Sequence, residues 1–245
     1  MEKTLDFADL LRLIDERSVA FRAAVAAAPL DQPVPTCPEW TLLDLAQHLG
    51  RGNRKWAGIV AGGSPDVPPA DAPSERADLL AWSAESTEQL LAALRAAGPD
   101  RGCWTWWDRS ESPQTAGAVA RHRVQEAAVH TYDAQLTGGA AQPLPTEVAL
   151  DGVDEFLHTC CAGAYSWPYQ PCVVEYRATE GPSWFVSLAA DRVRVTRLPI
   201  PADASFEGTA GELVLAMYGR IPATSLKVGG DAGIFDLLMA WDPDA

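Results

Sequence analysis

Prolines 29, 33, 35 and 38 and a Pro-rich stretch at 65–73 cut the first part of this chain into segments, and each segment carries apolar residues at steps of three and four. That spacing lines up one apolar stripe along a helix, and proline stops the helix by removing a backbone donor. The chain must therefore fold there as separate amphipathic helices joined by loops. Phe7, Leu10, Leu11, Ile14, Ser18, Phe21 and Val25 make the first stripe, and residues 29–40 are expected to be a loop. A second helix is expected from Thr41, which can cap the free N–H groups of the first turn, with Asp44 adding favourable negative charge. Leu42, Leu45, Leu49, Trp56, Ile59 and Val60 form its apolar side, and Gly62-Gly63 end it. A third helix is expected over about 74–96, with Leu79, Leu80, Ser83, Leu90, Leu91 and Leu94 inward. Residues 98–112 read as a Trp-dense loop or irregular strand. A fourth helix is expected from about Pro113 to Gln135, stopped by Gly138-Gly139. Together these predict a mainly α N-terminal four-helix bundle, domain 1–142.

The pattern changes after a Pro/Gly-bearing linker at 137–146. A short helix (147–161) precedes three β-branched or aromatic runs, Cys172–Ala178, Trp184–Ala190 and Val193–Leu198. Asp191-Arg192 can turn the last two into a hairpin. Thr209 and Glu212 form a capping-box signature that opens a helix through Tyr218, and a last helix follows Asp231 to near Trp241. Strands followed by helices predict a smaller C-terminal α+β domain, 143–245.

The net charge of −14 repels phosphate backbones and acidic lipid surfaces, which argues against nucleic acid or membrane as partner. No apolar run approaches membrane-helix length, and MEKTLDFADL does not read as a secretory signal. The expectation is a cytoplasmic protein, monomeric or a small homo-oligomer. The five cysteines, with no C-x-x-C pair, fit neither a disulfide framework nor a four-thiolate zinc site.

Chemistry concentrates in the four histidines, His48, His122, His130 and His158. His130 follows Glu126 by four residues, so a carboxylate and an imidazole share one face of the fourth helix. His48 lies on the apolar side of the second helix. Facing helices of a bundle sit close enough for an imidazole from one and a Glu/His pair from the other to meet at one ion. Zinc accepts this ligand set with a fourth position open. E-x-x-x-H also occurs on helices that bind nothing, and both His would then be buried, hydrogen-bonded bundle residues. Asp133, three residues on, can accept from the free ring N–H of His130 or be an ordinary polar residue near a helix end. His158-Thr-Cys-Cys161 lacks a distant partner ligand. No G-x-S-x-G elbow and no nucleotide-binding glycine motif is present.

Residues 35–49 (PTCPEWTLLDLAQHL) and 121–134 (RHRVQEAAVHTYDA) resemble the signature stretches of the DinB-like bundle family, in its mycothiol-dependent maleylpyruvate isomerase branch. Residues 208–231 (GTAGELVLAMYGRIPATSLKVGGD) resemble the second domain of the same branch. The resemblance implies that His48, Glu126 and His130 are metal ligands and that Arg220 reaches the active site. One departure stands out: the family commonly carries two adjacent Arg five and four residues before the Glu, and this chain has Arg121-His122. His122 is then a further pocket residue or ligand, or simply a helix histidine. Trp104, Trp107, His122 and Arg123 are the candidate substrate-facing residues, with Trp104, Trp106 and Trp107 walling a pocket or merely covering the bundle end.

The expected cofactors are a divalent metal, zinc by the ligand set, and mycothiol as thiol co-substrate, the latter implied by the resemblance alone. The metal would favour the thiolate, and the sulfur would attack an electrophilic small molecule. The Trp-rich loop favours an S-transferase acting on a larger apolar electrophile. The alternative that the resemblance implies is a cis–trans isomerase of the maleylpyruvate type. A metal-dependent hydrolase or lyase, or a non-enzymatic metal-stabilised binding module, stays open on the residues alone.

Overall fold

The computed structural model describes residues 5–69 and 71–241. Residues 1–4, on which the reading of the N-terminus partly rests, lie outside the described residues. The chain divides into two compact units. The first runs to Trp106 and resumes over Gln114–Leu144; the second takes Trp107–Pro113 and the described residues from Pro145 onward.

The first unit is a four-helix bundle: α1 (Phe7–Ala27), α2 (Leu42–Val60), α3 (Arg76–Ala97) and α4 (Ala116–Thr137). Helix α1 packs chiefly on α4, and α2 on α3. Leu10, Leu13, Ile14, Ser18, Phe21 and Val25 are the buried stripe of α1, so Leu13 takes the inward place expected of Leu11. Thr41 caps α2 as expected, and the Asp44 side chain returns a bond to the Thr41 N–H, completing a reciprocal capping box. Phe21, Val25, Val34, Leu42, Leu45, Leu49, Leu79 and Trp82 form one buried cluster of the core. Gly50 admits the Trp82 ring to the α2 backbone, where a Cβ would collide with it.

Two expectations are corrected. Residues 29–40 are not a plain loop: β1 (Pro33–Val34) and β2 (Cys37–Thr41) pair antiparallel around Pro35-Thr36. A two-stranded ribbon has free edges, so prolines need only avoid its few ladder bonds. Helix α4 starts at Ala116 rather than near Pro113, because Thr115 is the cap and accepts from the Ala118 N–H.

In the second unit, α5 (Thr146–Phe156) runs into one π-helical turn, Leu157–Cys161. β3 (Cys172–Ala178), β4 (Ser183–Leu188) and β5 (Val193–Thr196) form the expected meander. β6 (Ala204–Gly208) and β7 (Lys227–Gly230) extend the sheet to the order β5-β4-β3-β6-β7, with β6 parallel to β3. Neither was expected from sequence: β6 shows only Ala204 and Phe206 as inward apolar positions, and β7 contains two glycines. Helix α6 (Ala210–Met217) follows the Thr209/Glu212 capping box, and α7 (Gly233–Ala240) packs Phe235 against Phe206, 4.9 Å between ring centres. Among the described residues no helix is long and apolar enough to cross a membrane.

Candidate metal centre

His48, Glu126 and His130 converge, although 78 residues separate the first two in sequence (126 − 48). Their ligand atoms all lie within 4.8 Å of one another, and among the described residues no other group of three does so. The Nε2 atoms of His48 and His130 each stand 3.8 Å from Glu126 Oε2. The two imidazoles meet edge to face, 5.2 Å between centres. Tetrahedral zinc with bonds near 2.1 Å would need donor separations of about 3.4 Å, so small side-chain rotations suffice.

A chain of hydrogen bonds sets the chemistry of His130. Its Nδ1 lies 2.9 Å from Asp133 Oδ2, and Asp133 has no exposed surface. A carboxylate there draws the ring proton to Nδ1 and leaves the Nε2 lone pair toward Glu126. The other oxygen of Asp133 accepts from the Thr36 hydroxyl at 2.6 Å. Thr36 sits at the tip of the β1–β2 hairpin, and the same hairpin brings the Trp40 indole to 4.6 Å from the His48 ring and 6.3 Å from that of His130. The donor set thus fits a divalent transition metal: two imidazoles and a carboxylate, with one tautomer fixed by a buried acid.

Arg123 belongs to the same layer. It is buried; its Nε and Nη2 donate to Asn53 Oδ1 at 3.3 and 2.9 Å, and its Nη1 reaches Glu126 Oε2 at 3.3 Å. Gly52 gives the guanidinium room, since a Cβ there would stand 3.2 Å from two of its nitrogens. Burial works to raise the Glu126 carboxyl, but the facing His48 and the nearby His130, Arg123 and His122 outweigh it and hold the group well below the usual carboxylate range. Glu126 is therefore ionised and ready to ligate at neutral pH.

The remaining candidates are not among the three convergent residues. His122 is buried and is not part of the convergent triad; its ring stands edge-on to Trp106 at 5.7 Å and Trp56 at 6.4 Å. Trp104 stacks on Trp56 and is 43% exposed, as is Trp106. Trp107 carries no exposed surface and donates its indole N–H to the Pro113 carbonyl, so it offers no face to a ligand. Arg220 lies in the second unit just after α6, where its Nη1 donates to the Tyr218 carbonyl at 2.7 Å. His158 bonds to Asp154 within its own helix.

Sequence reasoning missed Thr36, Trp40 and Asn53. A polar amide inside an apolar stripe, as at Asn53, was the one readable signal; the hairpin that delivers Thr36 and Trp40 was read as a loop.

Along one flank of α2, His48 opens onto a cavity of about 810 Å³ lined also by Trp40, Arg51, Lys55 and Gly58. The His48 side chain is 44% exposed, so the cavity meets the centre at that imidazole.

Residues 11–135 match the family described as mycothiol maleylpyruvate isomerase N-terminal domain, and residues 147–236 match the MDMPI C-terminal domain. No curated protein matches the sequence. A crystal structure of the mycothiol-dependent maleylpyruvate isomerase superposes with a TM-score of 0.57 at 14% identity, covering 93% of this chain and 95% of the other. A histidine-to-alanine mutant of that enzyme superposes equally, at 13% identity and the same coverage. At such identity the likeness establishes the fold.

Proposed function

The chain belongs to the mycothiol maleylpyruvate isomerase family, and from that premise we propose that it is a metal-dependent enzyme using mycothiol to isomerise a cis C=C bond next to a carbonyl. The convergence of His48, Glu126 and His130 within 4.8 Å carries the reading. A divalent cation held there, zinc by the ligand set, would stabilise the thiolate over the thiol. His48 and His130 supply neutral nitrogen donors and Glu126 one negative charge. Asp133 and Thr36 hold the His130 ring in place, and Arg123 holds Glu126. In isomerisation the sulfur adds to one alkene carbon, the resulting single bond rotates, and the same sulfur leaves, so the thiol is regenerated. Arg220 is proposed as a partner for a substrate carboxylate.

S-transfer, the reading preferred from the sequence, becomes the second reading. The half-exposed Trp104 and Trp106 favour it, since they suit an apolar electrophile. Family membership favours isomerisation. The two differ in thiol balance: an isomerase leaves the thiol titre constant, and a transferase consumes one thiol per turnover. The test is zinc-loaded protein with mycothiol and maleylpyruvate, followed by NMR and thiol titration, beside His48→Ala. Cis-to-trans conversion at constant thiol, absent from His48→Ala, is expected. Turnover without thiol would overturn the reading in favour of a hydrolase or lyase.

A further inference from the structure

We infer that the cavity on the flank of α2 is the subsite for the neutral, polyhydroxylated glycosyl–cyclitol part of the thiol, an inference that rests on the thiol-dependent reading above. His48, Arg51, Lys55 and Gly58 follow one another at steps of three and four and so share one helix face. At 1.5 Å per residue the face from His48 to Gly58 runs about 15 Å. An occupant lying along it would have one end at the exposed imidazole of the metal centre, where the sulfur belongs.

The lining selects against charge. Arg54 is already committed to Glu85 at 2.7 Å and Ser86 at 2.8 Å. Of the other cations in the lining, Arg51 acts on the Asp44 carboxylate and Lys55 stands over the Trp104 ring at 5.9 Å, while Glu39 adds a second carboxylate to the same lining. An anionic group would gain no net attraction there, and neither would a cation. A polyol differs, because each hydroxyl both donates and accepts. It can bond to carboxylates, ammonium, guanidinium and the Gln89 amide without leaving a charge unpaired. Trp40 adds a flat apolar surface, suited to the C–H face of a sugar ring. The volume of about 810 Å³ falls in the range of small-molecule sites and far exceeds what a cysteine derivative alone would fill.

Gly58 provides the decisive variant. It is exposed, and a Cβ built on it meets nothing within 4 Å, so a side chain there enters the cavity without disturbing the core. Titration calorimetry on zinc-loaded protein would compare mycothiol, the neutral thiol-free N-acetylglucosaminyl-inositol and N-acetylcysteine. Wild type is expected to bind mycothiol more tightly than N-acetylcysteine. Gly58→Phe and Lys55→Ala should each weaken mycothiol and the thiol-free disaccharide about tenfold or more, leaving N-acetylcysteine unchanged. Circular dichroism checks that Gly58→Phe folds, and Lys55→Ala carries the test if it does not. Wild-type affinity for mycothiol in the folded variants would overturn the inference and leave the thiol reading standing. Equal binding of mycothiol and N-acetylcysteine by wild type would do the same. Failure of both thiols to bind wild type would remove the thiol reading itself, and the inference with it.

Discussion

The Asp133 carboxylate receives the Nδ1 side of His130 at 2.9 Å and is itself wholly buried, so one acid three residues further along α4 decides which nitrogen of a proposed metal ligand is free. Asp133→Asn keeps the shape and removes the charge. Zinc affinity, measured by competition with a chelator, is expected to fall roughly 10–100-fold. Thr36→Val, which removes only the hydroxyl bonded to Asp133, should cost less. Unchanged affinity in Asp133→Asn would mean that the carboxylate plays no part in presenting His130.

The guanidinium of Arg123 links α2 to α4 through Asn53 and Glu126. Arg123→Met would leave the buried Asn53 oxygen without its donor and Glu126 without its adjacent cation. A loss of about 2–4 kcal/mol in urea unfolding of the metal-free protein is expected. Gly52→Ala should produce a smaller loss, because the guanidinium must give way to the new methyl group.

Two glycines of α2 should respond in opposite directions. Gly50→Ala drives a methyl into the Trp82 ring and is expected to destabilise by roughly 1–3 kcal/mol. Gly58→Ala meets open space and should stabilise by about 0.5–1 kcal/mol through helix propensity. Thermal melts of the two single variants check this, and a shared sign would contradict the packing described for α2.

Asp44 is held below its ordinary carboxyl value of 3.8 by bonds from the Thr41 hydroxyl and backbone, with Arg51 adding to them against the effect of burial. A carboxyl lowered by folding stabilises the fold above its unfolded value, and the contribution disappears as pH falls through the folded value. Asp44→Asn should therefore cost roughly 0.5–1 kcal/mol at pH 7. Its unfolding curve should merge with that of wild type once the pH lies well below 3.8. A gap that persists in acid would assign the loss to something other than the charge.

What the amino-acid order settled by itself was local. Apolar steps of three and four, ended by prolines and glycines, specified the bundle helices, and Thr41/Asp44 and Thr209/Glu212 announced the caps of α2 and α6. The Glu126/His130 pair was readable because four residues make one helical turn. That the pair meets His48 came from resemblance and not from spacing, since nothing local encodes how two helices are rotated about their axes. Only tertiary packing decided that Arg123 turns inward onto Asn53 and that Trp106 rather than Trp107 stays half-exposed. It also decided that a two-stranded hairpin, masked by its prolines, brings Thr36 and Trp40 to the centre. β6 and β7 escaped for the same reason: their pairing with β3 and with each other is made by partners distant in sequence, and short strands with few apolar positions carry little pattern of their own.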